Sequence, residues 1–217
     1  GIEFAVDFLT QTTKTLLDAK ATTLEKTLEG KHVIVIGGGD TGNDCIGTAV
    51  RLGAASVKQF EITPSLPLTR AENNPWPEWP MVMKHGYGQE EGTFAGNDAL
   101  TEYTIGTTAF VSNDRNEVTG LKVAQVGPDF KPVAGTEREI KADLILLAMG
   151  FVGTDQSILN GFGVHEIYDQ YNTNQSQIFV AGDARRGPSL VIWAIREGRK
   201  AAEAVDESLA QLIKVSV

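Results

Sequence analysis

The chain has a single cysteine, Cys45, in 217 residues. One thiol excludes an internal disulfide, a cysteine-ligated metal cluster and a C-x-x-C dithiol. Histidine is scarce too: of the three, His85 has neither a paired carboxylate nor metal-ligand spacing, which favours a structural place for it. Basic residues are the minority, 19 Lys and Arg against 28 Asp and Glu, for a formal net charge of −9. Phosphate neutralisation needs concentrated Lys and Arg, so nucleic acid is not expected as a partner. No apolar run approaches the ~20 residues that cross a bilayer, so no membrane partner is expected either. No signal peptide is visible, and the chain starts at Gly1, not Met, which suggests a fragment or a processed chain. The rest of the composition is ordinary, with 41% hydrophobic and 22% charged residues. It suits a soluble globular protein of one or two domains, and a cytoplasmic location.

What the chain does have is a glycine-rich turn, Lys31 to Cys45: KHVIVIGGGDTGNDC. Val33 to Ile36 make a short branched apolar run, the mark of a strand buried on both faces. It stops at Gly37-Gly38-Gly39, and Asp40, Thr41, Gly42 and Asn43 lead into helical spacing over 42–52, with Ile46, Ala49, Val50 and Leu52 for packing. Gly37, Gly39 and Gly42 thus give G-x-G-x-x-G where a strand turns into a helix. The glycines serve a tight turn, close backbone approach to a pyrophosphate and close helix–strand packing. The N–H groups and dipole at the helix start favour an anion. A turn without any ligand is the alternative.

A second parallel strand is expected at 56–62, after Gly53. Glu61 lies at its end, 19 residues beyond Gly42. A carboxylate at that distance can accept the ribose 2′-OH and 3′-OH and repels a 2′-phosphate, which favours NADH over NADPH. Lys58 and Arg70 could still serve a 2′-phosphate, and a solvated strand-end carboxylate is the plain reading. Residues 1–29 read as a helix with Phe4, Phe8, Leu9, Leu16, Leu17, Leu24 and Leu28 near helical spacing, ended by Gly30.

Residues 63–98 hold five of the eight prolines, with Trp76 and Trp79. They predict a long ordered loop with short helical pieces, serving as a lid, a subunit surface or plain packing. An antiparallel meander follows over 103–126, turning at Asn113 to Asn116, with a further strand or turn at 131–141. Residues 143–151 read as a buried strand ending at Gly150. Ile178 to Ala181 read as another, with Gly182 and Asp183 at its carboxyl end. Gly187-Pro188-Ser189 then opens a helix with Leu190, Val191, Ala194 and Ile195 as its apolar side, fraying over 202–217. Ligands of open α/β sheets lie at strand carboxyl ends, where an acid can bond ribitol hydroxyls; a Gly-Asp turn without ligand is the alternative.

VIVIGGGDTGNDC (33–45), AENNPWPEWP (71–80), DLILLAMGF (143–151) and IFVAGDARRGPSLVIWAIREGR (178–199) together resemble the small (β) subunit of glutamate synthase. More broadly they are similar to flavoproteins of the pyridine-nucleotide:disulfide oxidoreductase type. The resemblance implies an α/β fold: a Rossmann-like nicotinamide-nucleotide domain, a parallel sheet with an antiparallel meander, and the C-terminal part of a second, FAD-binding domain. It implies residues 1–30 as a helical connector, 31–147 as the NAD(P)H-binding domain and 148–217 as the return of the FAD domain. NADH or NADPH would lie along Gly37 to Asn43 with Glu61. Gly182, Asp183, Ser189, Leu190 and Val191 would face FAD, and Gly150 is a further expected cofactor-binding residue.

The family passes hydride from NAD(P)H to FAD and electrons onward to a large subunit, where glutamine and 2-oxoglutarate yield glutamate. No side chain need act as acid or base for hydride transfer, so no catalytic residue is expected. The family's cysteine-rich cluster domain and the first glycine-rich FAD turn have no counterpart here, so this chain is expected to bind FAD poorly or not at all and not to turn over alone. Other readings are an electron-input subunit of a pyrimidine or ferredoxin-linked reductase, a non-catalytic nucleotide-binding assembly module, and a methyltransferase. The last leaves Gly182-Asp183 unexplained.

Overall fold

Branched apolar residues in unbroken series are stable only in a strand covered on both sides. In the computed structural model, which describes residues 1–19, 27–76, 80–97 and 100–215 (212–215 by backbone alone), Val33, Ile34 and Val35 are buried in such a strand. In chain order the elements are β1 (Ile2–Phe4), α1 (Ala5–Asp18), β2 (His32–Ile36), α2 (Asp40–Arg51), β3 (Ser56–Glu61), α3 (Tyr87–Phe94), β4 (Thr101–Tyr103), β5 (Ile105–Ser112), β6 (Val118–Gln125), β7 (Arg138–Lys141), β8 (Leu144–Leu147), α4 (Gln156–Gly161), α5 (Asp183–Arg186) and α6 (Val191–Val215). They fall into two compact units, Gly1–Gly150 and Phe151–Val217.

The first unit is built on a five-stranded parallel sheet in the order β1-β8-β2-β3-β4. Side chains alternate across it. Val33, Val35, Val57, Leu144 and Leu146 pack under α1 and α2, against Ala5, Phe8, Cys45, Ile46 and Ala49. Ile34, Phe60 and Ile145 point the other way, onto Ile105, Leu121, Val123 and Ala142. Those last residues belong to or adjoin the antiparallel sheet β5-β6-β7. The β5–β6 hairpin closes where Asn113 Oδ1 accepts the N–H groups of Arg115 and Glu117, and Asn116 takes φ +60°. Asn is suited to both tasks.

Several expectations are corrected. Residues 1–29 are not one helix: Ile2–Phe4 form β1, paired in parallel with β8, so the segment read as a connector is part of the first unit. Phe4 and Leu17 are exposed while Phe8 and Leu9 pack inward, and Leu24 lies outside the described residues. The expected meander starts two residues late, because 101–103 form the parallel strand β4. Thr104, at φ +57°, then redirects the chain into β5.

In the second unit, 178–181 do not form a ladder strand. Phe179 makes one isolated bridge, to Asn172, and Val180 N–H donates to the Tyr171 carbonyl. A parallel strand is made by its neighbours' backbone, and the described residues of this unit supply none. The small core here is Leu159, Val164 and Val180. Leu190, Val191 and Ile195, expected as the packing side of α6, are exposed. Fraying was expected over 202–217, but α6 continues as a helix to Val215, and 216–217 lie outside the described residues. No helix among the described residues is long and apolar enough to cross a membrane.

Candidate functional site

The chain leaves β2 toward β3 and β4 on one side and reaches β8 on the other, so the strand order reverses between β8 and β2. That is where ligand crevices of open α/β sheets lie. Gly37 sits there at φ +117°, a conformation L side chains rarely adopt, and a Cβ on it would overlap the Ala148 carbonyl. Its N–H donates to the Phe60 carbonyl at 2.8 Å. A Cβ on Gly42 would overlap the Gly37 carbonyl, so α2 comes this close to β2 only with glycine. At Gly39, the N-cap of α2, a Cβ would meet nothing within 4 Å, and no side chain caps the helix. Asp40 and Thr41 form its first turn. Glycine therefore serves packing at 37 and 42, and open approach at 39.

Glu61 ends β3 half-buried. Its Oε2 accepts the Gly38 N–H at 2.5 Å, and Oε1 accepts the backbone N–H and hydroxyl of Thr63, each at 2.9 Å. It has no ion-pair partner among the described residues. Burial, then the Glu61 charge, pushes up the phenol of Tyr103, opposite it on β4. Lys58 does not turn toward this site: its Nζ pairs with Glu102 at 3.3 Å, and Glu102 also pairs with Arg138. Arg70 Nη1 donates to the Asn74 carbonyl at 3.0 Å.

Asn43 turns away from the glycine turn: its Oδ1 accepts the Gln89 N–H at 3.1 Å, at the start of α3. Cys45 is fully buried and its thiol is pushed up to about 12 by burial and then by Asp44, so it is packing, not a nucleophile. In the long loop, buried Asn74 accepts the Met81 N–H, Trp76 is 84% exposed and His85 is exposed. Trp79 lies outside the described residues.

Sequence reasoning missed Gln59, which is fully buried and whose Nε2 donates to the Gly37 carbonyl at 2.9 Å. The available signal was a glutamine on the inward side of a buried strand, in line with Val57.

In the second unit, Gly182 has φ +64° and its N–H donates to Glu197 Oε2 at 2.9 Å. Glu197 is 2% exposed, and its Oε1 takes Arg185 at 3.2 Å and Arg186 at 3.0 Å. Burial raises its pKa, but the Gly182 N–H and the two arginines outweigh that and hold it below the ordinary carboxylate value. Asp183 is exposed, and its Oδ1 accepts the Ser189 hydroxyl at 3.2 Å. Leu190 and Val191 are exposed beyond it. Gly150, at φ +81°, closes the first unit and is exposed.

No protein-family model matches the chain. Glutamate synthase (NADH) of Saccharomyces cerevisiae is 42% identical over 96% of this chain, which covers 10% of that protein. The glutamate synthase (NADPH) small chain of Bacillus subtilis is 41% identical over 96% of this chain, which covers 46% of it. The chain is homologous to glutamate synthase. It spans less than half the length of these relatives. The glutamate synthase match takes in both the Gly37–Gly42 turn and the Gly182–Asp183 turn.

Solved structures share the fold. FprA, an oxidoreductase from Mycobacterium tuberculosis, superposes with TM-score 0.63 at 12% identity, over 99% of this chain and 60% of its own. Bacillithiol disulfide reductase from Bacillus cereus does so with TM-score 0.55 at 21% identity, over 86% and 52%.

Proposed function

We propose that Gly1–Gly150 binds a nicotinamide nucleotide at the glycine turn. Phe151–Val217 then contributes the C-terminal part of an FAD-binding domain, in an NAD(P)H-dependent flavoprotein oxidoreductase of the glutamate synthase type. The observation that carries the reading is the Glu61 carboxylate, hydrogen-bonded to the Gly38 N–H and without an ion pair among the described residues. A negative acceptor beside a glycine turn at the strand-order reversal suits a ribose diol. The pyrophosphate falls to the first turn of α2, where Gly39 leaves the backbone open to close approach.

The fit to FAD is partial. Asp183 offers an acceptor for ribitol hydroxyls, and Ser189, Leu190 and Val191 offer an exposed surface for the flavin. The described residues of this unit include no second glycine-rich strand-to-helix turn for its pyrophosphate. The bound cofactors supply the chemistry, a hydride passed from nicotinamide to flavin; the protein supplies alignment and local charge. A large subunit of glutamate synthase is the proposed recipient of the electrons.

The relatives' names carry both NADH and NADPH, so the choice rests on this chain's own residues. With Glu61 facing the ribose position and Lys58 tied to Glu102, NADH is favoured. Calorimetric titration with each nucleotide tests this: NADH binds more tightly, and Glu61→Ala weakens it about tenfold or more. Preference for NADPH overturns the role of Glu61. Binding of neither overturns the nucleotide site.

A further inference from the structure

One strand grips the peptide joining Gly37 to Gly38 at both ends. Its oxygen accepts the Gln59 amide at 2.9 Å, and its N–H donates to Glu61 at 2.5 Å. Residues 59 and 61 are two apart on β3, so both side chains leave the strand on one face. A peptide unit is planar, and fixing its oxygen fixes its N–H. With glycine on both sides, no Cβ resists its turning over.

Gln59 is held with a fixed polarity. The Gly37 oxygen can only accept, so Gln59 must present its NH2 there and its Oε1 to the other side. That Oε1 accepts Gln89 Nε2 at 2.9 Å and the Thr101 hydroxyl at 2.8 Å. Gln89 must then turn its own Oε1 the other way, where it accepts the Gly86 N–H at 3.0 Å. A one-way series of buried amide bonds therefore runs from the N-terminus of α3 to the glycine turn. A backbone donor anchors one end and a backbone acceptor the other.

We propose that Gln59 is a positioning residue for the nucleotide site. It sets the 37–38 peptide so that Glu61 stands where it meets the ribose, and Gln89 makes that setting depend on α3. The functional half rests on the nucleotide reading above; the clamp itself is testable without nucleotide.

The short bond to a carboxylate gives the Gly38 amide proton a downfield NMR signature, which Glu61→Ala abolishes and so assigns. In Gln59→Met and Gln59→Glu the Gly38 proton moves upfield and NADH binds about ten- to hundredfold more weakly. Gln89→Glu keeps an acceptor for Gly86 but turns a second acceptor on Gln59, so it shifts Gly38 more than Gln89→Met does. That ordering keeps the test standing if a Gln59 variant does not fold. A Gly38 proton unmoved by the Gln59 variants, or Gln89→Glu no worse than Gln89→Met, overturns the clamp. A clamp signature that behaves as expected in a chain binding neither NADH nor NADPH overturns the nucleotide reading instead.

Discussion

Among the described residues two glycine N–H groups are held by glutamates, and the two glutamates differ in what surrounds them. Glu61 holds Gly38 and is half-buried, with Thr63 as its other partner and no cation among the described residues. Glu197 holds Gly182, is nearly inaccessible, and is neutralised by Arg185 and Arg186. Those guanidiniums are in turn stacked, Arg185 over Tyr171 at 4.9 Å and Arg186 over Trp193 at 4.5 Å. The same hydrogen bond thus goes to a partly accessible, uncompensated carboxylate in one unit and to a buried, ion-paired one in the other. A carboxylate that must accept from a ribose has to remain accessible and uncompensated; one that fixes a turn is stronger when buried and paired.

Removing each carboxylate gives the largest expected contrast. Glu197→Ala strands two arginines and a buried N–H. Breaking a buried pair is strongly destabilising, and the partial exposure of the arginines brings the expectation to about 2–3 kcal/mol. Faster hydrogen exchange over 178–199 measures it. Glu61→Ala costs at most about 1 kcal/mol and acts on nucleotide affinity. Acid separates the two units as well. The pKa of Glu197 is depressed in the folded state, so its contribution is complete above the unfolded value of about 4.3 and is lost as pH falls through the lower folded value. Exchange over 178–199 should rise in that acidic window, and Glu197→Gln should flatten the rise. If Glu61→Ala unsettles its unit as much as Glu197→Ala does its own, the contrast fails.

The glycines sharpen the comparison at a smaller scale. Gly39→Ala has open space for its Cβ, so stability changes by no more than about 1 kcal/mol while the methyl obstructs close approach and weakens NADH binding. Gly42→Ala overlaps the Gly37 carbonyl and costs about 1–3 kcal/mol, with binding lost alongside. Gly182→Ala strains a left-handed residue by about 1–2 kcal/mol. Thermal melts paired with calorimetry distinguish them. A Gly39→Ala chain that binds NADH as the wild type does removes the case for ligand contact at the N-terminus of α2.

What could be read in advance was local. The branched run 33–36, the glycine spacing, the carboxylate 19 residues on and the Asn113 turn each carry their signal within a few residues. β1 is three residues long and gains strand geometry from β8, so nothing in Ile2–Phe4 announces it. β4 was not anticipated, and its last residue, Tyr103, reads as part of the meander because the reversal at Thr104 has no sequence marker. The 178–181 strand was overread because its apolar residues promise a ladder that only neighbouring strands can provide. Glu61 was legible from spacing, but its hold on Gly38 and the Gln59–Gln89 series were not. Those bonds join residues 23 and 30 positions apart: the pairing of β2 with β3 brings Gly38 to Glu61, and the packing of α3 on α2 brings Gln89 to Gln59.

The smallest effect concerns Cys45, which faces the core from α2 and is wholly inaccessible. With its thiol pushed up to about 12, almost none is thiolate at pH 8, and a thiol reagent reaches it only when α2 opens. Labelling in native buffer should therefore be slow and should accelerate with mild denaturant. Nucleotide bound at the first turn of α2 stabilises the closed state by mass action, so saturating NADH slows labelling of the wild type further. At the same concentration Glu61→Ala, which binds about tenfold more weakly, is protected less. Protection undiminished in Glu61→Ala would place the nucleotide on α2 without Glu61, and so separate the anion-binding turn from the carboxylate beside it.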